Sequence, residues 1–312
     1  MIRYIIHRLL QVIPTTFGIL LLTFLLFNVV GGSPAETLLG KNATAESIAA
    51  FNHKYGYDKP LVWATDSQFV TFVMNLAKGD LGYSIELDEP VAEVLARGVG
   101  PSLSLTVPIL VCGTLIGLAL ALLAAAFRGK AADRWILVGS TFLMSVNYVV
   151  WVLCGQYLLA YRWGLFPIWG YASIGCLALP ILIGIVSSLG MDIRYYRTAI
   201  LDEMYRPYVL TARAKGLSRT TILVRHILRN ALIPIVTFIS LSIPGLFTGS
   251  LLLESFFGIP GLGSVAINAI HSADMAVVRS VVVIGALLYQ FVNLATDLLY
   301  AALDPRVRLA AN

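Results

Sequence analysis

Long apolar runs separated by short polar stretches dominate the chain. Runs free of charged residues occupy 9–30, 102–127, 135–161 and 230–253. A fifth run, 163–191, is broken at its start by Gly164, Pro167 and Gly170, which places its apolar helix at 172–191. A sixth, 280–296, continues past one acid, Asp297, to Leu303. A helix needs roughly 20 apolar residues to cross a hydrocarbon core about 30 Å thick. The pattern predicts an all-α, polytopic membrane protein with about six transmembrane helices. The first run has a basic start, but it is longer than a signal-peptide core and no small-x-small site follows closely, so it reads as a retained span.

The polar stretches carry helical patterns of their own. The segment after the first span, 33–100, is too long for a simple turn. Within it Phe69, Phe72, Val73 and Leu76 recur at i, i+3, i+4 and i+7, an amphipathic helix. A second short helix is expected from Pro90 to just before Gly98, and a third at 44–55. Three units follow: the N-terminus and first span (1–32), a small helical outer segment (33–100), and a five-helix core (101–312). The core includes a polar loop at 192–229, where Ile222, Leu223, Ile227 and Leu228 alternate with Arg219, Arg225 and Arg229. At the centre of that loop, Gly216 ends a run of small residues. A glycine there lets the chain turn and lets a second surface approach closely.

Composition supports the membrane reading and charge orients it. Only 12% of the 312 residues are charged and 58% are hydrophobic, whereas soluble domains carry roughly a quarter charged residues. Basic residues concentrate on the cytoplasmic side of a membrane protein. Arg3, Arg8, Arg128, Lys130, Arg134, the eight Lys and Arg of 192–229, Arg306 and Arg308 fall on one side. That side holds 15 of the 22 basic residues, which makes both termini cytoplasmic. The net charge of +5 is therefore topological and points to lipid rather than nucleic acid. Cys112, Cys154 and Cys176 sit in apolar runs without metal spacing, and the four histidines are scattered.

Several motifs then resemble one family. Thr211-Ala212-Arg213-Ala214-Lys215-Gly216-Leu217, followed by 225–231 (RHILRNA), resembles the EAA loop of ABC importer permeases. The opening ten residues with Ile13-Pro14, 80–84 (DLGYS), Glu254 with Ile259-Pro260-Gly261-Leu262-Gly263, and 297–300 (DLLY) with 304–306 (DPR) narrow the resemblance. They match the first permease subunit of the dipeptide, oligopeptide and nickel transport family, over nearly the whole chain. The resemblance implies a type I importer fold, with 211–217 as a helix that couples to a separate ATPase. It also implies a heterodimer with a second homologous permease, two ABC ATPase subunits carrying ATP and Mg, and an extracytoplasmic solute-binding protein. The setting would be the bacterial inner membrane. Leu210 stands where the loop's eponymous glutamate would be. Ser145-Val146-Asn147 replaces a Ser-Leu-Pro common in relatives, which predicts loss of a kink and an amide at mid-membrane depth.

Polar residues inside the spans are the remaining candidates. An acid in a membrane segment is a functional candidate by default; Asp297, with Asn293 one turn earlier, lies near the cytoplasmic end and reads as structural. Ser240, Pro244 and Thr248 make the fifth span small and polar, which fits tight packing or a lined pathway. Asn147, Glu254, Pro260, Gly261 and Gly263 are further pathway or gate candidates. No cofactor is expected on this chain: it lacks a GxxxxGK[ST] loop, HExxH and GxSxG. A secondary transporter would need ionisable groups or broken inverted repeats in the spans, and neither is evident. The expected function is half of the pathway of a peptide importer, coupled through 202–229. A nickel-chelate or other small polar metabolite importer is the alternative, and an ion-coupled carrier stands behind it.

Overall fold

The computed structural model describes residues 2–30, 44–55, 58–62, 64, 66–84, 86–248, 251–272 and 274–303. Side chains are described for these except at 2–9, 29–30, 54–55, 244–248 and 297–303. The motif at 304–306 and the side chains of Pro244, Thr248 and Asp297 therefore lie outside the described residues.

Helix α1 (Ile2–Leu25) ends in a π-helical turn, Leu26–Val30. Next in the described chain come α2 (Ala45–Tyr55) and α3 (Gln68–Ala77). The Ser67 hydroxyl accepts from the Val70 amide and starts α3. The apolar face expected for α3 is present, and it packs on the membrane helices: Phe69 sits edge-on to Phe24 (ring centroids 5.3 Å apart) and beside Val283. Strands β1 (Tyr83–Ser84) and β2 (Glu89–Pro90) form a minimal antiparallel hairpin.

Helix α4 (Val91–Ala126) overturns one expectation. No short helix ends at Gly98; the chain runs straight into the membrane as one helix of 36 residues. At 1.5 Å per residue that is roughly 54 Å, well beyond the bilayer core. Gly98 is there for proximity: a β-carbon would sit 3.1 Å from the Leu262 amide nitrogen.

The third predicted span, 135–161, is two helices. Helix α5 (Ala131–Ser145) and α6 (Tyr148–Gly155, continued by a π-helical Gln156–Arg162) meet at 91°. The expected loss of a kink is thus incorrect. Val146 is extended (φ −88°, ψ 125°), and Asn147 caps α6 by accepting from the Val149 amide at 2.9 Å. An amide that caps a helix ends the previous one as effectively as a proline.

Helix α7 (Ile174–Met204) begins after an irregular stretch in which Gly164 and Gly170 have positive φ. It continues unbroken through the first third of the expected loop at 192–229. Two further helices complete that loop: α8 (Pro207–Ala214) and the start of α9. Helix α9 (219–248) opens as Arg219–Thr221, passes through a π-helical Ile222–Ile227 and continues as Leu228–Thr248. Helices α10 (Leu251–Phe257) and α11 (Leu262–His271) form a second bent pair at 83°, and α12 (Met275–Leu303) closes the described chain.

Among the described residues, five helices are long and apolar enough to cross a membrane, or up to seven spans if each bent pair counts as one. This is the all-α, multi-pass architecture that the runs predicted. Helix α4 lies along α7 at the centre of the molecule, while α12 packs on α1 and α9. Small residues allow the close approach: a β-carbon on Gly184 would fall 2.4 Å from Ile109 Cδ1, and one on Gly190 2.6 Å from the Ser140 carbonyl oxygen.

Candidate functional site

The first site is built around α8, in the polar loop that sequence analysis assigns to the cytoplasmic side. Arg206, in extended conformation, precedes Pro207 at the first helical position, where a proline costs no hydrogen bond. Val209 and Ala212, one turn apart, are buried in a cluster with Ala121, Ala125, Tyr196, Ile200, Ile222, Ile227, Ala231 and Ile235. Those partners belong to α4, α7 and α9, so α8 is bolted to the ends of three membrane helices. The Tyr208 hydroxyl donates to Glu203 Oε2 at 2.8 Å, and the Arg206 guanidinium lies 3.5 Å from Glu203 Oε1. Burial, with Glu203 beside it, pushes the Tyr208 phenol above its ordinary pKa, which keeps the donor protonated.

The C-terminal end of α8 is a glycine cap. The Gly216 amide donates to the Arg213 carbonyl at 2.9 Å and the Leu217 amide to the Ala212 carbonyl at 3.3 Å, with Gly216 at φ +75°. Nothing lies within 4 Å of where its β-carbon would be, so within this chain Gly216 serves the turn alone. Ser218 accepts from the Thr221 amide at 3.2 Å and starts α9.

The outward face holds Thr211, Arg213, Ala214, Lys215, Gly216 and Leu217, all exposed. Ala212 alone of the expected coupling residues points inward. Two apolar residues that the sequence reading did not assign to this face join it: Leu210, 66% exposed, and Tyr205, with the Arg128 guanidinium 5.0 Å from its ring centroid. Sequence alone did not mark Leu210, because it lies opposite Val209 and Ala212, whose burial is decided by packing on α4, α7 and α9. Behind the face, Arg197 grips Asp133 with two contacts of 2.8 and 2.9 Å, and Asp133 also accepts from the Gly129 amide. This fixes α5 to α7.

A second cluster, at the bent pair α10–α11, is organised by Glu254. Its side chain is fully buried at 0% exposure. It accepts from the Ser102 hydroxyl (2.8 Å) and from the Gly263 and Ser264 amides (2.6 and 3.2 Å), the free N–H groups at the start of α11. Ser102 in turn accepts from the Leu262 amide at 2.8 Å. A carboxylate at a helix N-terminus meets both the donors and the positive end of the dipole. Gly261 and Gly263 are glycine by necessity: β-carbons there would sit 2.4 and 2.9 Å from Glu254 Oε2. The Gln156 amide donates to the Ile168 and Phe256 carbonyls, tying α6 to this hairpin.

The other expected residues scatter. Ser240 is buried in α9, Pro260 is exposed at the hairpin tip, and Asn293 is half-buried on α12. Asn147 caps α6, away from both clusters. Among the described residues, no group of three His, Cys, Asp or Glu is placed to hold a metal.

Residues 97–309 match the family described as "Binding-protein-dependent transport system inner membrane component", and residues 1–106 match its N-terminal counterpart. The chain belongs to this family. It is a transport permease subunit and not an enzyme. The permease is 33% identical over 312 residues to the glutathione transport system permease protein GsiC of Shigella flexneri serotype 5b, covering 99% of each chain. GsiC of Escherichia coli K12 and of Salmonella choleraesuis are similar at the same identity and coverage. The permease thus belongs with the ABC importers, whose architecture pairs membrane subunits with ATPases and a binding protein. Its long apolar helices make it multi-pass.

Proposed function

We propose that this permease forms half of the translocation pathway of an ATP-driven peptide importer in the bacterial inner membrane, with both termini cytoplasmic. Its partners are a second homologous permease, two ABC ATPase subunits that bind ATP and Mg, and an extracytoplasmic solute-binding protein. The relatives named for glutathione, itself a small peptide, support that substrate class.

The observation that carries the reading is the mounting of α8. Its inner side is locked to α4, α7 and α9, while its outer side presents Leu210, Thr211, Arg213, Lys215 and Leu217 without cover from this chain. An ATPase groove that receives this face moves three membrane helices as one body, because a packed core transmits displacement rather than absorbing it. At the outer side, Glu254, Gly261 and Gly263 hold the hairpin whose tip is Pro260. Asn147 and Ser240 belong to the helices between the two ends and Asn293 is structural; Pro244 and Thr248 as pathway residues and Asp297 as a structural one are proposed on their sequence positions alone.

Purification of the tagged permease from native membranes in mild detergent, with mass spectrometry of what copurifies, tests the assembly. Recovery of an ABC ATPase, a second permease and a small peptide is expected. Recovery of a stable chain without an ATPase overturns the proposal. Leu210→Cys should cross-link to the ATPase, whereas Val209→Cys, on the buried side, should not.

A further inference from the structure

Between α4, α7 and α9 lies a cavity of about 300 Å³. Its polar lining includes Thr114, Ser187, Ser188, Asp192, Tyr196 and Ser242, with Thr106 and Tyr148 farther along the wall. Sequence reading placed Asp192 at the start of a cytoplasmic loop; the structure places it inside α7, 12 residues and so roughly 18 Å before the helix ends. An acid in a candidate membrane-spanning helix is costly unless it faces a polar cavity or a partner. The nearest arginines on the same helix are turned elsewhere: Arg194 reaches the Met144 sulfur at 3.9 Å and Arg197 binds Asp133. Among the described residues, no lysine or arginine lines the cavity. Space for the acid is provided by Gly117, where a β-carbon would come within 3.2 Å of Asp192 Cβ and of the Tyr196 ring. The wall beyond is aromatic, with Tyr196 and Phe238 edge to face at 6.0 Å.

A carboxylate with no cation beside it among the described residues, in a cavity shared with hydroxyls and aromatic groups, has the chemistry of an ammonium site. We infer that this cavity is a subsite on the translocation pathway for the ammonium group of the transported solute, with Asp192 as the specificity-determining residue. The inference rests on the peptide reading above, since a free peptide carries an N-terminal ammonium. The volume is at the lower end for small-molecule sites and admits a head group with one small residue rather than a long chain.

The test separates the cavity from the substrate. In the copurified complex, with Cys112, Cys154 and Cys176 replaced by serine, Ser187→Cys is labelled with a cationic and an anionic alkyl methanethiosulfonate. Asp192→Asn should lower the ratio of cationic to anionic labelling rates at least about tenfold, given Coulomb attraction over a few ångströms at low dielectric. An unchanged ratio overturns the inference. In proteoliposomes with the binding protein, Asp192→Asn should strongly reduce alanyl-alanine uptake and Asp192→Glu should restore much of it. Wild-type uptake by Asp192→Asn also overturns it. If the unaltered complex moves no peptide, the peptide reading fails, and the labelling ratio still decides whether the cavity selects cations.

Discussion

Single residues in this permease owe their identity to backbone geometry and to hydrogen bonds that must be made. Gly216 illustrates the first. At φ +75° a side chain costs roughly 1–2 kcal/mol, and its loss loosens the cap of α8 without touching the buried face. Gly216→Val should therefore insert normally, shown by unchanged membrane yield, but lower uptake severalfold. Normal uptake by this variant would show that the turn is dispensable. Glu254 illustrates the second. Replacing it by alanine strands the Gly263 and Ser264 amides and the Ser102 hydroxyl, at a cost on the order of 2–3 kcal/mol. Glu254→Ala should depress the thermal midpoint of the purified complex more than Glu254→Gln, which keeps an acceptor in place. Both roles were only half legible in sequence. A glycine after a small-residue helix reads as a cap, but a buried glutamate reads the same as an exposed one until its donors are located.

At the scale of the element, boundaries were harder to read than existence. Each apolar run supplied at least one helix among the described residues, yet the run at 135–161 broke by 91° because Asn147 caps its second half. Asn147 has φ −60°, the value that a proline ring imposes, and Val146 is extended as a pre-proline residue must be. Asn147→Pro should therefore leave folding and uptake near wild type. Asn147→Leu, which neither caps nor constrains, should lose about 1 kcal/mol, visible as a lower midpoint in thermal denaturation. The opposite error occurred at Gly98, where a glycine resembling a helix stop sits inside a continuous α4. Composition cannot distinguish a glycine that ends a helix from one that admits a neighbouring backbone, here that of α11.

Across the whole molecule, the exposed face of α8 proposed for coupling is backed by the membrane core. Val209 and Ala212 connect α8 to a cluster drawn from α4, α7 and α9, and the Asp133–Arg197 pair adds α5. A charge reversal on the exposed side should then uncouple without unfolding. Arg213→Glu should leave thermal stability within about 0.5 kcal/mol, as surface substitutions do, while lowering uptake and the amount of ATPase that copurifies. Retention of both would place the docking contacts elsewhere.

The membrane class, the approximate spans and the glycine stop at Gly216 followed from the chain alone. They depend on local quantities: apolar length against bilayer thickness, and residue types at close spacing. The inward turn of Ala212, the burial of Glu254 against α11, the bend at Asn147 and the position of Asp192 inside α7 did not. Each depends on which distant segment supplies the neighbour, such as Ser102 for Glu254 across 152 residues or Gly117 for Asp192. Hydropathy records how much of a segment avoids water. It does not record which donor, which backbone or which cavity that segment meets, because those partners are set by packing between helices far apart in sequence.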